Sequence, residues 1–287
     1  MNKEKFICIN GKIITSGKPV ISIENRSFRY GDALFETIRI ANGKVQFLPE
    51  HIKRLKYGMG VLKMNVPAYY SVEYFEREIL TLANKNGVGE GGRVRLTIFR
   101  NEGGFYSPEN NNVSFVMEAV PLAQAGYSLN STGIVIDIFT GVKKSINILS
   151  DLKTANCLCY ILAGIYKTEN MLDDCIILNV HDNIAEAISS NVFIVKNGCL
   201  YTPSLDEGCV AGIMRGQIIL IAGKAGIKVN ECCLSQEDLS TADEVFLTDA
   251  INGIRWVSAY KEKKYVRDIS LKLAGYLNKL NFTFASQ

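Results

Sequence analysis

The chain has 287 residues, of which 47% are hydrophobic and 21% are charged. Its 32 Lys and Arg residues against 29 Asp and Glu residues give a formal net charge of only +3, so it lacks the basic excess typical of surfaces that bind nucleic acid or anionic membranes. The composition also excludes a disordered, collagen-like or coiled-coil protein, and the length predicts two domains or one large one. We therefore expect neither nucleic acid nor a membrane as a partner.

No targeting or membrane-spanning segment is recognisable. The first residues contain no apolar run long enough for a signal peptide, and no stretch reaches the roughly 18–20 apolar residues of a membrane span. The eight cysteines include a Cys-x-Cys pair and an adjacent pair, and several others lie within apolar runs, which is typical of buried thiols. With no Cys-x-x-Cys motif and two histidines, a metal site such as zinc is not expected. These features indicate a reduced, cytoplasmic location.

The first part of the chain mixes strand and helix patterns. Asn-Gly pairs between short apolar runs predict hairpins, because Asn and Gly tolerate the positive φ of tight turns. The predicted elements are hairpins around 10–11 and 42–43, helices over 49–62 and 71–85, and strands over 93–99 and 113–119. They predict an N-terminal α+β domain over residues 1–120, followed by a weakly patterned interdomain linker at 121–133.

The rest of the chain also combines both element types and predicts a mixed α/β C-terminal domain over residues 134–287. The predicted elements are strands over 134–139, 175–179, 185–195, 199–202, 227–232 and 244–248, and helices over 154–166, 212–224 and 271–280. No strand–GxGxxG–helix unit and no GxxxxGK[ST] motif occurs, which argues against dinucleotide-binding and P-loop enzymes.

Two charged residues in largely apolar surroundings are candidates for chemistry. Lys153 lies between a strand-like run and a helical run, and a partly desolvated lysine is a nucleophile suited to Schiff-base formation. Glu186 lies among small and apolar residues, where burial is costly unless the carboxylate meets a cation such as a protonated pyridine nitrogen. Each has an ordinary alternative: a solvated lysine at a helix start, and an acid on the outer face of a strand.

Two further segments could bind a phosphate. Residues 208–215 (GCVAGIMR) form a glycine-bracketed turn before a helix, whose N-terminal amides and dipole favour an anion. Arg54 lies one helical turn from His51 and could direct a planar guanidinium at the same group. Taken alone, the first segment is also compatible with an ordinary helix start and the second with an ordinary amphipathic face.

In order and spacing, these segments resemble the class IV aminotransferases, the fold-type IV pyridoxal 5′-phosphate (PLP) enzymes. This family includes branched-chain and D-amino-acid aminotransferases and 4-amino-4-deoxychorismate lyase. The resemblance extends from about Phe6 to Val257. The matching motifs are residues 26–37 (RSFRYGDALFET), 51–55 (HIKRL), 153–156 (KTAN), 186–193 (EAISSNVF), 202–203 (TP), 212–215 (GIMR) and 244–248 (EVFLT).

The resemblance implies a two-domain α+β fold, a PLP cofactor between the domains, a small amino substrate and a homodimer whose partner loops complete the pocket. It implies that Lys153, in the C-terminal domain, binds the cofactor aldehyde and then moves protons, and that Glu186 keeps the pyridine nitrogen protonated. The other implied cofactor-binding residues are Arg54, Ser189, Val210, Gly212, Ile213, Met214 and Ala250. The implied substrate-binding residues are Tyr30, Phe35, Arg95, Arg100, Ala250 and Ile251.

This chain departs from the family pattern at three positions. Met214 stands where the family often has threonine, and Ala250 stands near the position of another threonine in the transaminases, so two hydroxyl contacts are lost. Cofactor binding would then depend more on Arg54 and backbone amides. Asp249 replaces an asparagine typical of the lyase and adds a negative charge where an anionic substrate could bind.

The resemblance favours the lyase over an aminotransferase and keeps the aminotransferase as the alternative. The Lys-x-x-Asn spacing at 153–156 is that of the lyase and D-amino-acid branches, and residues 100–104 (RNEGG) and 248–251 (TDAI) resemble lyase segments. In the lyase, Arg95 and Arg100 would bind the two carboxylates of aminodeoxychorismate. One alternative is an aminotransferase of branched-chain or D-amino acids, and another is a degenerate member that binds PLP without turnover. A binding module unrelated to PLP is a third alternative, but it would require every matching motif to be a coincidence.

Overall fold

The computed structural model describes residues 4–17, 19–123 and 126–283. The chain folds into two compact units: the first extends to Gly126 and includes residues 152–156, and the second comprises residues 127–151 and the chain from Cys157 onwards. Residues 124–125 of the predicted linker lie outside the described residues. The same is true of residues 1–3 and 284–287, at the ends of the two predicted domains.

The first unit contains a six-stranded antiparallel sheet in the order β2-β1-β6-β5-β3-β4, together with three helices. Its strands are β1 (Phe6–Ile9), β2 (Lys12–Thr15), β3 (Ala33–Ala41), β4 (Lys44–Val45), β5 (Gly91–Arg100) and β6 (Val113–Pro121). Its helices are α1 (Arg26–Tyr30), α2 (Leu48–Val61) and α3 (Val72–Lys85).

Local sequence signals account for several of these boundaries. The hairpins turn at Asn10-Gly11 and Asn42-Gly43, where all four residues have φ between 48° and 82°, as the Asn-Gly pairs predict. Helix α3 begins after Ser71, whose side chain accepts a hydrogen bond from the Tyr74 amide and so satisfies one of the unpaired amides of the first turn.

The core of the first unit lies between its sheet and helices α2 and α3. Helix α3 buries Phe75, Ile79 and Leu82 on one face, at the spacing expected for an amphipathic helix. Alternate residues of β5 are buried in the same core, and β3 is buried along almost its whole length. Strand β3 therefore gives the residues around it a rigid support.

The second unit contains a mixed nine-stranded sheet in the order β12-β11-β10-β13-β14-β7-β8-β9, with β15 beside β14. Its strands are β7 (Ile134–Lys144), β8 (Asp174–Asn179), β9 (Ile184–Ala187), β10 (Asn191–Lys196), β11 (Cys199–Pro203), β12 (Val229–Cys232), β13 (Glu244–Asp249), β14 (Gly253–Tyr260) and β15 (Lys263–Lys264). Its helices are α4 (Leu158–Glu169), α5 (Ile213–Lys224), α6 (Gln236–Thr241) and α7 (Asp268–Thr283).

Two predicted elements of this region differ from the structure. The single strand predicted over 185–195 is two strands, β9 and β10, separated by a turn at 188–190, because the Ala187 amide bonds back to the Ser190 carbonyl. The helix predicted from residue 154 begins only at Leu158. Residues 153–155 cannot start it because their backbone groups are bonded to β3.

The segment that contains Lys153 belongs to the first unit, whereas the sequence places it in the C-terminal domain. The Phe35 amide donates to the Lys153 carbonyl over 3.0 Å, and the Ala155 amide donates to the Ala33 carbonyl over 2.9 Å. Leu34 and Thr154 thereby form an antiparallel bridge. Leu152 is buried in the core of the first unit. Five residues are thus attached to β3 like a short additional strand.

Among the described residues, no helix is long and apolar enough to cross a membrane. The eight cysteines all lie in the described part of the chain, and none of them is joined in a disulfide there.

The left-handed residue Gly31 should be sensitive to substitution. Gly31 ends α1 at φ 65°, and a Cβ there would lie 2.8 Å from Asn156 Oδ1. We expect Gly31→Ala to lower the free energy of unfolding by about 1–2 kcal/mol, measured by urea denaturation, because the left-handed conformation is strained for alanine. Gly60→Ala is the control, since a Cβ at this helical position meets nothing within 4 Å; equal losses in both variants would contradict the prediction.

Candidate active site

Strand β3 of the first unit brings three predicted site residues together. The Lys153 Nζ lies 4.6 Å from the centroid of the Phe35 ring, and the Arg95 guanidinium lies 3.8 Å from the same centroid. Arg95 reaches this ring from β5, where it pairs with Thr37 of β3. An amine, a guanidinium and an aromatic ring thus form one cluster that could bind an anionic amino substrate.

Glu36, the next residue along β3, directs its side chain to the opposite face of the strand, towards α2. Its carboxylate accepts from Arg54 Nε over 2.8 Å and from an Arg54 terminal nitrogen over 2.5 Å, and it contacts His51 Nδ1 at 2.6 Å. Burial raises the pKa of Glu36, but the charges of Arg54 and His51 outweigh burial and lower the pKa to about 2. The bidentate pair fixes the plane of the Arg54 guanidinium.

Arg100, a predicted substrate contact, lies at the end of β5. It is 6% exposed, its Nε donates to Asp32 over 2.8 Å, and its terminal nitrogens donate to the Leu62 carbonyl and to Asn111. All three nitrogens of the guanidinium are therefore engaged within the first unit. This arrangement favours a structural role for Arg100, whereas the predicted substrate residue Arg95 contacts the same Phe35 ring as Lys153.

The other predicted substrate residue of this unit, Tyr30, lies beside a loop. Its ring is 5.5 Å from that of Tyr106 and 5.1 Å from the Arg26 guanidinium. Arg26 is buried, donates to Asp32, and donates to the carbonyls of residues 103–105. Because Arg26 and Arg100 share Asp32, they act together to hold this loop.

In the second unit, Glu186 is buried in β9 and accepts hydrogen bonds on both carboxylate oxygens. Oε1 contacts Lys144 Nζ and accepts from the Tyr160 hydroxyl over 2.7 Å, and Oε2 accepts from the Val210 amide over 3.1 Å. Burial and the nearby Glu186 carboxylate raise the pKa of Tyr160, so its hydroxyl stays a proton donor. A carboxylate has about four lone-pair sites, so Glu186 can accept a further donor such as a protonated pyridine nitrogen.

The predicted phosphate-binding residues of this unit lie at the start of α5. Gly212 is the N-cap residue and Ile213 and Met214 form the first turn, where the amides have no acceptor within the helix. A Cβ on Gly212 would lie 2.0 Å from Asn191 Oδ1, so only glycine permits this close approach. A helix N-terminus without a capping side chain fits an anionic group such as phosphate.

The remaining predicted residues are in turns of the second unit. Ser189 is exposed, whereas its neighbour Ser190 is buried and accepts from Arg255 over 3.0 Å. Ala250 and Ile251 follow β13, where Asp249 Oδ1 accepts from the amides of Ile251 and Asn252, each over 2.8 Å. Asp249 is therefore a turn-stabilising residue.

Sequence reasoning missed Lys144, Tyr160 and the role of Glu36 as the partner of Arg54. Glu36 lies within one of the family motifs, so its motif was the signal that could have identified it. Lys144 and Tyr160 carry no comparable local signal, because their contacts with Glu186 join residues 42 and 26 positions apart.

Comparison with known proteins shows the family to which the chain belongs. Residues 33–260 match the model of the amino-transferase class IV family. The chain is 30% identical to a D-alanine aminotransferase of Listeria monocytogenes over 84% of this chain and 83% of that protein. It is 29% identical to an aminodeoxychorismate lyase of Bacillus subtilis over 91% and 88% of the two chains. A solved branched-chain aminotransferase of Thermoproteus uzoniensis superimposes with a TM-score of 0.87 at 24% identity, covering 97% and 95%.

The chain belongs to the class IV aminotransferase family, whose members are PLP-dependent enzymes. The expected fold class, a mixed α and β fold of the fold-type IV kind, is confirmed. The relatives include both an aminotransferase and a lyase, so the family defines the cofactor chemistry and leaves the individual reaction to be proposed.

The Glu36–Arg54 pair predicts a specific acid dependence of stability. A carboxyl whose pKa is about 2 when folded and about 4.5 when unfolded stabilises the fold above pH 4.5 and loses this contribution as the pH falls towards 2. We expect Glu36→Gln to lower the free energy of unfolding at pH 7 by about 3–5 kcal/mol, because it leaves a buried cation poorly compensated. The difference from the unmodified protein should shrink by roughly 3 kcal/mol between pH 5 and pH 2.

The measurement is urea denaturation across this pH range. Glu76→Gln, on the exposed side of α3, is the control and should follow the unmodified protein at every pH. A Glu36→Gln difference that stays constant from pH 5 to pH 2 would show that Glu36 is not the carboxyl responsible.

Proposed function

We propose that this protein is a PLP-dependent enzyme that acts on a small amino substrate, with Lys153 as the residue that binds the cofactor aldehyde. The observation that carries the proposal is the fixed position of Lys153: two backbone hydrogen bonds attach its segment to β3, and its amine lies against the Phe35 ring that Arg95 also contacts. A nucleophile on a rigid support is presented in one geometry. Arg95 supplies a cation for a substrate carboxylate.

The cofactor would be held by groups from several elements. The amides of Ile213 and Met214 and the Arg54 guanidinium would bind the phosphate, and Val210 would pack against the ring. The residues Ser189, Gly212 and Ala250 complete the proposed cofactor set. Glu186 would accept a hydrogen bond from the pyridine nitrogen and keep it protonated. When bound, PLP supplies an electron sink for the negative charge that develops on the substrate carbon.

Within the family we propose 4-amino-4-deoxychorismate lyase activity. The KTAN spacing at 153–156 and the likeness to the Bacillus subtilis lyase support this assignment. Lys153 would remove the proton from C4 of the substrate ring. The C–O bond to the enolpyruvyl group would then break, the enolate would leave as the ring becomes aromatic to give 4-aminobenzoate, and protonation of its methylene carbon would yield pyruvate.

The structure reduces one objection to an anionic substrate. One oxygen of Asp249 accepts hydrogen bonds from the amides of residues 251 and 252, and its second oxygen lies 3.8 Å from Arg255 Nε. Much of its negative charge is therefore compensated within the second unit. The turn carries Ala250 and Ile251, two of the residues that we propose for substrate contact.

The second candidate is an aminotransferase of D-amino or branched-chain amino acids. Arg100 is engaged by Asp32, Asn111 and the Leu62 carbonyl. Of the predicted pair, Arg95 is then the arginine that shares the Phe35 ring with Lys153, and one guanidinium suits an amino acid with one carboxylate. The likeness to a D-alanine aminotransferase supports this candidate.

Assays of the purified, PLP-loaded protein distinguish these activities. With aminodeoxychorismate we expect equimolar 4-aminobenzoate and pyruvate, and borohydride should fix PLP covalently on Lys153, detected by peptide mass. Lys153→Ala should lose turnover by at least roughly 1,000-fold, because no other amine replaces it, whereas Lys53→Ala, an exposed lysine of α2, should keep it.

Each other outcome has a definite meaning. Amino-group transfer from D-alanine or glutamate to a keto acid, without 4-aminobenzoate, would replace the lyase by the aminotransferase. A protein that takes up no PLP and traps none on Lys153 would overturn the proposed function.

We further propose that the protein is a homodimer that pairs through α4. Leu158, Ile161, Leu162 and Ile165 are 44–75% exposed and follow i, i+3, i+4, i+7 spacing, which places them on one face of the helix. An exposed apolar stripe of this kind is unusual on a monomer. A two-fold axis would bring the same stripe from a second copy against it.

The dimer proposal predicts the effect of a charge in this stripe. We expect Ile161→Glu to shift the mass measured by light scattering from two chains to one, because the interface would bury an unpaired carboxylate. Gln236→Glu, which adds the same charge to the exposed start of α6, should stay dimeric. A monomeric unmodified protein, or a dimeric Ile161→Glu variant, would contradict pairing through α4.

A further inference from the structure

Lys144 is a buried cation that the proposed function does not use. It ends β7, where its carbonyl accepts from the Val180 amide over 3.1 Å, and its side chain is 11% exposed. The neighbouring Lys143 is 41% exposed and pairs with Asp182 at 2.6 Å. Successive strand residues point to opposite faces, so one lysine faces solvent and the other faces Glu186.

Lys144 and Tyr160 share one oxygen of Glu186. Both contact Oε1, and the Lys144 ammonium lies 5.6 Å from the centroid of the Tyr160 ring. Oε2 accepts only from the Val210 amide among the described contacts of Glu186. The carboxylate therefore already has a counter-ion on one oxygen and keeps acceptor capacity on the other.

We propose that Lys144 is an internal counter-ion of Glu186 that competes with the cofactor for this carboxylate and so sets the affinity for PLP. This inference rests on the proposed role of Glu186 at the pyridine nitrogen. A buried carboxylate is costly without a cation. Lys144 supplies this cation in the cofactor-free protein. Its charge thereby reduces the electrostatic free energy that Glu186 gains when a second cation, the protonated ring of the cofactor, binds.

Loss of the Lys144 charge should change the stability of the cofactor-free and the cofactor-loaded protein by different amounts. Removing the Lys144 charge leaves Glu186 poorly compensated in the cofactor-free protein, whereas the cofactor-loaded protein still has the charge of the ring. The substitution therefore destabilises the cofactor-free form more than the loaded form. By linkage, any change that penalises the unbound form more than the bound form tightens binding.

The test compares Lys144→Met with the unmodified protein. We expect the dissociation constant for PLP, measured by cofactor absorbance during titration of the cofactor-free protein, to fall by roughly 5-fold or more. The increase in melting temperature on loading with PLP should be larger in the variant. Lys144→Arg should keep the cofactor-free protein stable because it keeps the charge, and Lys143→Met should behave like the unmodified protein in both measurements.

A double-mutant cycle with Glu186→Gln tests whether Lys144 acts through Glu186. In the Glu186→Gln background, Lys144→Met should leave the PLP dissociation constant nearly unchanged. The double variant also leaves no unpaired charge, so it remains measurable if Lys144→Met alone does not fold.

The failures of the two proposals are distinguishable. If the unmodified protein binds no PLP, the proposed function fails. If it binds PLP but Lys144→Met binds it equally well or more weakly, the counter-ion role is overturned and the proposed function stands. A tightening that persists unchanged in the Glu186→Gln background would also overturn this role.

Discussion

The two backbone hydrogen bonds that hold residues 153–155 against β3 determine where the proposed reactive amine lies. Strand β3 is buried along almost its whole length, so it cannot move without disturbing the core of the first unit. Attachment to such a strand gives Lys153 a fixed backbone, and its amine then lies against the Phe35 ring, which the Arg95 guanidinium also contacts. The position of the proposed reactive lysine thus depends on a strand contact rather than on a helix start.

The same solution to charge burial appears in both units. Glu36 is compensated by Arg54 and His51, and Glu186 is compensated by Lys144 together with the Tyr160 hydroxyl. In each case these contacts offset the free-energy cost of removing a carboxylate from water. The two differ in what they can still accept: Glu36 binds two nitrogens of a rigid guanidinium, whereas Glu186 pairs with a flexible lysine and keeps acceptor capacity on Oε2, where one amide donates. Glu186 is therefore the carboxylate suited to a partner that binds and dissociates.

Sequence patterns predict the elements whose causes are local. An Asn-Gly pair turns the chain wherever it occurs, and the Ser71 cap marks the start of α3 from one hydrogen bond. The late start of α4 has no local cause: the helix predicted from residue 154 begins only at Leu158, because residues 153–155 pair with β3 instead. Lys144 was missed for a related reason. Its contact with Glu186 follows from the register of β7, β8 and β9, in which Lys144 pairs with Asn179 and Glu186 with Ile177.

The position of Arg100 changes how substrate choice can arise. A guanidinium held by Asp32, Asn111 and a carbonyl gains little from binding a substrate carboxylate, because it would first have to lose those bonds. Through Asp32, Arg100 is instead coupled to Arg26, which holds the carbonyls of residues 103–105. In a lyase or an aminotransferase alike, Arg100 would then act on specificity by fixing the shape of this loop, and Arg95 would supply the direct charge.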